Sequence, residues 1–113
     1  MKALVCSAFG SLDALEVKDV AAPSPGPGEV AIDVRASALN FPDALMVQGR
    51  YQVRPALPFV PGLEAAGTVA AVGSGVTDVA VGDRVLAWLD HGALAERCVA
   101  PAGNVVRMPE AMP

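Results

Sequence analysis

Val30, Ile32 and Val34 alternate with Ala31, Asp33 and Arg35, the period-2 pattern of a strand with one face buried. Two further β-rich runs, Lys2–Ala8 and Leu15–Val20, flank the segment FGSLDA, whose Gly, Ser and Asp suit a hairpin connection. Strands are also predicted over Glu64–Val72 and Arg84–Trp88, with turns at Gly73-Ser74-Gly75 and Gly82-Asp83 between them. The segment GALAERCV adds another strand, and a Pro-Ala-Gly-Asn turn leads to a last apolar piece ending before Pro109. Only the stretch from Asn40 to Tyr51 changes character. Pro42 at the first helical position, Asn40 or Phe41 as cap and Gly49 just past the end predict a helix of two turns. The prolines of APSPGPGE, Ala22 to Glu29, forbid helix and predict an extended surface loop. Many short strands and one helix together predict an all-β barrel or sandwich with protected edges.

Composition narrows the class. A chain of 113 residues is one domain's worth, and 53% hydrophobic with 18% charged residues describes a globular protein. No uninterrupted apolar run approaches the roughly 18 residues of a membrane span, and Gly10, Ser11 and Asp13 interrupt the N-terminal apolar run before a signal core forms. The default expectation is a cytoplasmic protein with no membrane partner. The net charge is −4 and the 8 Lys and Arg are scattered, so no basic stripe is available to nucleic acid. Cys6 and Cys98 lie far apart without a CxxC companion, which predicts two buried thiols and neither a zinc cluster nor a disulfide framework.

One carboxylate stands out. In PGLEAAGTV, Pro61 to Val69, Glu64 is surrounded by small apolar residues and glycines. Glutamate is seldom buried unpaired, so Glu64 is either the solvent face of a strand or a group held on purpose.

The series GEVAIDVRASALNFPDALMVQGRY, LPFVPGLEAAGTVAAVGSGV, VGDRV and GALAERCV resembles the N-terminal, GroES-like catalytic domain of the medium-chain dehydrogenase/reductase superfamily. It is most similar to the quinone oxidoreductase, zeta-crystallin-like branch, where N-[FY]-x-D, G-x-Y, P-x-x-P-G-x-E-x-x-G-x-V and V-G-D-R-V recur in this order. The resemblance implies a mainly β fold, a GroES-like partly open β-barrel with one or two short helices. It further implies that zinc-dependent relatives carry Cys where this chain has Asn40 and His where it has Leu63. An amide and an aliphatic group cannot replace two zinc ligands, so the implied branch is the zinc-free one, with no metal site, which passes a hydride from NADPH to a quinone or an activated C=C bond.

The residues take roles accordingly. Asn40 can orient a substrate carbonyl or the nicotinamide amide, or act as an ordinary helix cap. Tyr51, the sole tyrosine, can donate to a developing enolate or quinol oxygen, or pack under a loop. Phe41 and Leu45 join Asn40 on the cofactor side, and Leu45 departs from relatives that place Tyr there. Asp43, Tyr51, Leu63 and Glu64 are assigned to the substrate cleft, Asp43 with a local cap or ion pair as the plainer alternative. Glu64 matches an acid that the superfamily keeps at the cleft floor, and is expected to be largely buried against an Arg of this chain or of another domain. Gly62 and Gly67 are expected where backbone is closely approached, as beside a cofactor. His91 is expected to be an exposed turn residue, Asp83 a turn former, and Arg84 the holder of a carboxylate.

Hydride chemistry needs a dinucleotide site, and no Gly-rich strand–turn–helix unit is present between residues 1 and 113. Residues 1–113 therefore read as the GroES-like catalytic domain of a longer reductase whose Rossmann NADPH-binding domain is absent from this chain. The small-molecule partner is a quinone or enone, and the full-length protein is expected to be a homodimer. The rival expectation is a stand-alone GroES-like binding or co-chaperonin-type module without chemistry. APSPGPGE lacks the apolar tip that a co-chaperonin's mobile loop needs, and such a module has no use for the NFPD, GRY and PGLEAAG series.

Overall fold

A computed structural model describes residues 1–112. The alternating run seen in the sequence becomes β3 (Glu29–Ala38), an interior strand of a five-stranded antiparallel sheet. It pairs on one side with β4 (Glu64–Val72) and on the other with β6 (Arg97–Pro101), and the sheet continues from β4 through β5 (Arg84–Trp88) to β7 (Val105–Arg107). The inward faces meet in a core of Val30, Ile32, Val69, Val85 and their neighbours, all fully or nearly fully buried. Each such side chain is worth roughly 1.5–3 kcal/mol relative to leaving it in water.

A separate hairpin, β1 (Lys2–Val5) with β2 (Glu16–Asp19), forms as its sequence predicts. β2 is exposed along its whole length and carries Glu16, Lys18 and Asp19, which keep a free edge from recruiting another strand. On its other side β1 bonds the segment leading into β6, through Leu4 N–H to Leu94 O (2.9 Å) and Glu96 N–H to Lys2 O (3.0 Å). This link joins the hairpin to the larger sheet and leaves the fold mainly β and only partly closed.

The one α-helix, α1 (Phe41–Val47), begins one residue earlier than expected, with Asn40 as N-cap and Pro42 in the second helical position. Gly49 follows it at φ 72°, a conformation that favours glycine. Met46 and Val47 pack with Cys6 and Phe59 into a second apolar cluster beneath the helix, which Tyr51, Val53 and Leu63 border. Among the described residues no helix is long and apolar enough to cross a membrane.

Two sequence expectations change. Asp83 does form the turn, accepting Ala80 N–H at 2.9 Å, but its ion pair is with Arg107 at 3.1 Å. Arg84 instead reaches the backbone carbonyl of Met112 and the sulfur of Met108. Gly62 and Gly67 are closely approached, and the neighbours that approach them belong to the chain itself. A Cβ on Gly67 would sit 2.0 Å from Asp33 O, and one on Gly62 2.7 Å from Leu94 N.

Cys6 and Cys98 are buried and free. Burial pushes the Cys98 thiol up to about 11 and raises that of Cys6, with a hydrogen bond to Ala8 O partly offsetting the latter.

Two outcomes follow from these contacts. Gly67→Ala should lower the denaturation midpoint by an amount equivalent to about 3 kcal/mol or more, because the added methyl meets strand backbone that cannot yield. The folded Cys98 holds its proton to higher pH than the unfolded thiol. Its contribution is therefore complete below the ordinary thiol value and is lost as pH rises through about 11. Thiol labelling near pH 8 should then be slow in the native protein and fast in denaturant; rapid native labelling of both cysteines would refute the burial.

Candidate functional site

The bulge in β3 decides what faces outward. Val34 pairs with Gly67, but Ala36 pairs with Ala66, so two residues of β3 pass one of β4 and the side-chain parity of β3 flips. Val34 points inward, whereas Ala36 and Ala38 are exposed and Ser37 turns inward to donate to Ala93 O at 2.6 Å. Across the outer face the pairing lines up Ala38, Glu64 and Trp88 in one row and Ala36, Ala66, Leu86 and Val106 in the next.

Next to this face is a cavity of about 370 Å³ lined by Asn40, Pro42, Tyr51, Leu63, Glu64 and Trp88 among others. Asn40, Tyr51, Leu63 and Glu64 come from the helix cap, the loop after the helix and the start of β4, and the fold brings them to one wall. Such a concave site, apolar with a few polar groups, has the character of a small-molecule site. A second cavity of about 480 Å³ lies over the outer face and shares Glu64 and Trp88 with the first; small side chains at Ala36, Ala38 and Ala66 leave it open.

Asn40 caps the helix with its backbone. Its N–H donates to Asp43 Oδ2 at 2.8 Å and its carbonyl accepts Asp43 N–H at 3.0 Å, a capping-box arrangement in which the side-chain amide nitrogen of Asn40 takes no part. That nitrogen remains available to a ligand. Tyr51 is half-buried against the second apolar cluster and also lines the cavity. Its hydroxyl has no hydrogen-bond partner among the described residues. Leu63 contributes an aliphatic wall to the cavity. Among the described residues no group of three or more His, Cys, Asp or Glu is placed to hold a metal ion.

Two other assignments, Glu64 and Asp43, resolve differently. Glu64 is exposed and forms no ion pair or side-chain hydrogen bond among the described residues, which corrects the expectation of a buried acid meeting an Arg. Its strand position alone places it outward, across from Trp88. Asp43 lies outside the cavity lining; it is 5% exposed, and Oδ1 has no partner. Phe41 is 77% exposed at the helix start, and Leu45 is half-buried; neither lines the cavity. His91 is exposed, as expected, with its ring edge-on to Phe59 at 5.8 Å. Trp88 and Asp90, which no motif singled out, complete the cavity. The alternation of β5 carried the signal for Trp88, since it puts Leu86 and Trp88 on the face opposite buried Val85 and Ala87.

The sequence profile of the alcohol dehydrogenase GroES-like domain matches residues 26–110. The chain is 43% identical over 114 residues to the synaptic vesicle membrane protein VAT-1 homolog of Rattus norvegicus, covering 99% of this chain and 28% of that protein. It is 41% identical over 96 residues to the quinone oxidoreductase-like protein 2 of Mus musculus, covering 85% of this chain and 27% of that one. A solved structure of mycobacterial Rv1454c complexed with NADPH superposes with a TM-score of 0.93 at 39% identity, over 100% of this chain and 35% of the other. The chain thus spans about a quarter to a third of the length of these relatives.

Asp43→Ala should destabilise the fold by about 1–2 kcal/mol through loss of the carboxylate that holds the helix start, and Asp43→Asn should recover most of it, since an amide oxygen can accept the same bond. Chemical denaturation measures both. A neutral or stabilising alanine variant would mean that burying the unpartnered Oδ1 outweighs the cap.

Proposed function

The chain belongs to the alcohol dehydrogenase GroES-like domain family, and on that premise we propose that it is the substrate-side domain of a zinc-independent, NADPH-dependent reductase of quinones or activated C=C bonds. The observation that carries this reading is the single cavity to which Asn40, Tyr51 and Leu63 converge. Its polar groups are the Asn40 amide, the Tyr51 phenol and the carboxylates of Glu64 and Asp90, and aliphatic Leu63 stands in the place that the family resemblance gives to a zinc ligand. The quinone oxidoreductase-like relatives and the NADPH-bound structural neighbour support it. On this reading, the dinucleotide-binding domain belongs to the remainder of the longer protein, which functions as a homodimer, and residues 1–113 alone bind NADPH weakly.

Bound NADPH supplies a hydride, and a solvent proton completes the two-electron reduction of quinone to quinol. The chain's own residues prepare the acceptor. The Asn40 amide fits the polar end of the cofactor or the substrate carbonyl, because its backbone is pinned by Asp43 while its amide nitrogen is not used in the cap. The Tyr51 hydroxyl donates to the oxygen on which negative charge develops, a contact that strengthens as the reaction proceeds. Leu63 excludes water from the cleft and denies a metal its ligand. Exposed Phe41 and the neighbouring Leu45 offer apolar contact to the cofactor. Asp43 acts through the helix start and is not a proton donor in this scheme.

In the full-length protein, NADPH oxidation by a small quinone should persist in the presence of a chelator and fall roughly 10–100-fold in Tyr51→Phe. Activity abolished by chelation would overturn the zinc-free assignment. Absence of NADPH oxidation with any quinone or enone would overturn the reductase reading itself.

A further inference from the structure

We propose that Trp88 is a stacking platform that selects planar, fused-ring quinones over small acyclic enones. The inference rests on the reductase reading above and deepens it. Trp88 is the only tryptophan of the chain and, although large and apolar, it is 51% exposed. It belongs to both cavities and so stands where the polar end, with Asn40 and Tyr51, passes into the alanine-lined trough. An exposed indole costs hydration free energy that a flat apolar ligand would recover.

The platform is rigid. β5 is paired on both sides, Leu89 N–H donates to Leu63 O at 2.7 Å, and Asn104 Nδ2 donates to Trp88 O at 3.2 Å. These contacts fix the backbone on either side of the ring, and preorganised aromatic surface loses little entropy on binding. The size of the space decides between substrate shapes. A cavity of about 370 Å³ beside one of about 480 Å³, with Glu64 and Trp88 lining both, is generous for an acyclic enone, which would leave the indole wet. A fused bicyclic quinone can keep its carbonyl at the Asn40 and Tyr51 end while its second ring lies on the indole, where offset stacking is favourable. Glu64, directly across the strand from Trp88, discourages anionic ligands on the same face.

The full-length protein carrying Trp88→Ala and Trp88→Phe tests this with 1,4-naphthoquinone and methyl vinyl ketone as paired substrates. Trp88→Ala should raise the KM for the naphthoquinone by about tenfold, leave that for the acyclic enone within about twofold, and be largely rescued by Trp88→Phe. An equal rise for both substrates, or no change for either, would overturn the platform while leaving the reductase reading intact. A second readout is independent of turnover. In the 113-residue chain the sole tryptophan reports directly, and naphthoquinone should quench it saturably without shortening its lifetime. Purely collisional quenching would overturn the proposal. Saturable static quenching in a protein that oxidises no NADPH would uphold the platform and remove the reductase reading.

Discussion

The contact between Gly67 and the backbone of Asp33 sets the geometry on which the rest of the molecule depends. No Cβ fits there, since Asp33 O would lie 2.0 Å from it, so β3 and β4 approach at a separation that only glycine permits. The bulge follows within a few residues, between Val34 and Ala36. Upstream of it β3 keeps Val30, Ile32 and Val34 toward the core; downstream it turns Ala36 and Ala38 outward. The same strand therefore builds the core with one half and the floor of the trough with the other. Without the bulge, period-2 alternation would carry Ala36 inward and Ser37 out, away from its bond to Ala93 O.

The cavity is assembled where two packing units meet. The sheet contributes Glu64 and Trp88, held by the ladder between β4 and β5. The helix contributes Asn40 from its cap, and the cluster beneath it contributes Tyr51 and Leu63. Leu63 belongs to both units, since its side chain borders the helical cluster and its carbonyl accepts Leu89 N–H from the chain just beyond β5. Polar and apolar walls therefore keep a fixed relation through the backbone and do not depend on any side-chain ion pair. The ion pairs present, Lys2 with Asp19, Arg97 with Asp33 and Arg107 with Asp83, lie on exposed surface where such pairs contribute little.

How much of this was legible depended on the range of the interaction. β4 and β5 could be read to the residue because alternation and flanking Gly-rich turns are local signals, and the helix was read to within one position from Pro42 and Gly49. The convergence of Asn40, Tyr51 and Leu63 was accessible only through family resemblance, because no local pattern says that a cap, a loop and a strand start meet. Glu64 was misread because an apolar neighbourhood in sequence was taken for an apolar neighbourhood in space; in a strand the next residue, Ala65, points to the other face and is buried there while Glu64 is exposed. The expectation that Arg84 holds a carboxylate failed for a related reason, since no ion pair of Arg84 forms among the described residues and the carboxylate nearest it in sequence, Asp83, pairs with Arg107. Arg84 is adjacent in sequence, yet the antiparallel pairing of β5 with β7 brings Arg107 near the turn instead.

The exposed outer face places a physical demand on whatever occupies it. Leu86, Trp88 and Val106 supply apolar surface next to the open trough, and covering it is favourable in proportion to its area. Glu64 sits between Ala38 and Trp88 in its row, and a carboxylate stripped of water without a compensating donor is costly. The two requirements are compatible only for an occupant that is flat and apolar over the indole yet leaves the Glu64 end hydrated or supplies a donor there. A uniformly greasy cover fails at Glu64, and a uniformly charged one forfeits the contact with Trp88. On the proposed reading, the trough would discriminate by the pattern of polarity along the ligand as well as by its size, and that pattern is written by a single cross-strand pair, Glu64 and Trp88.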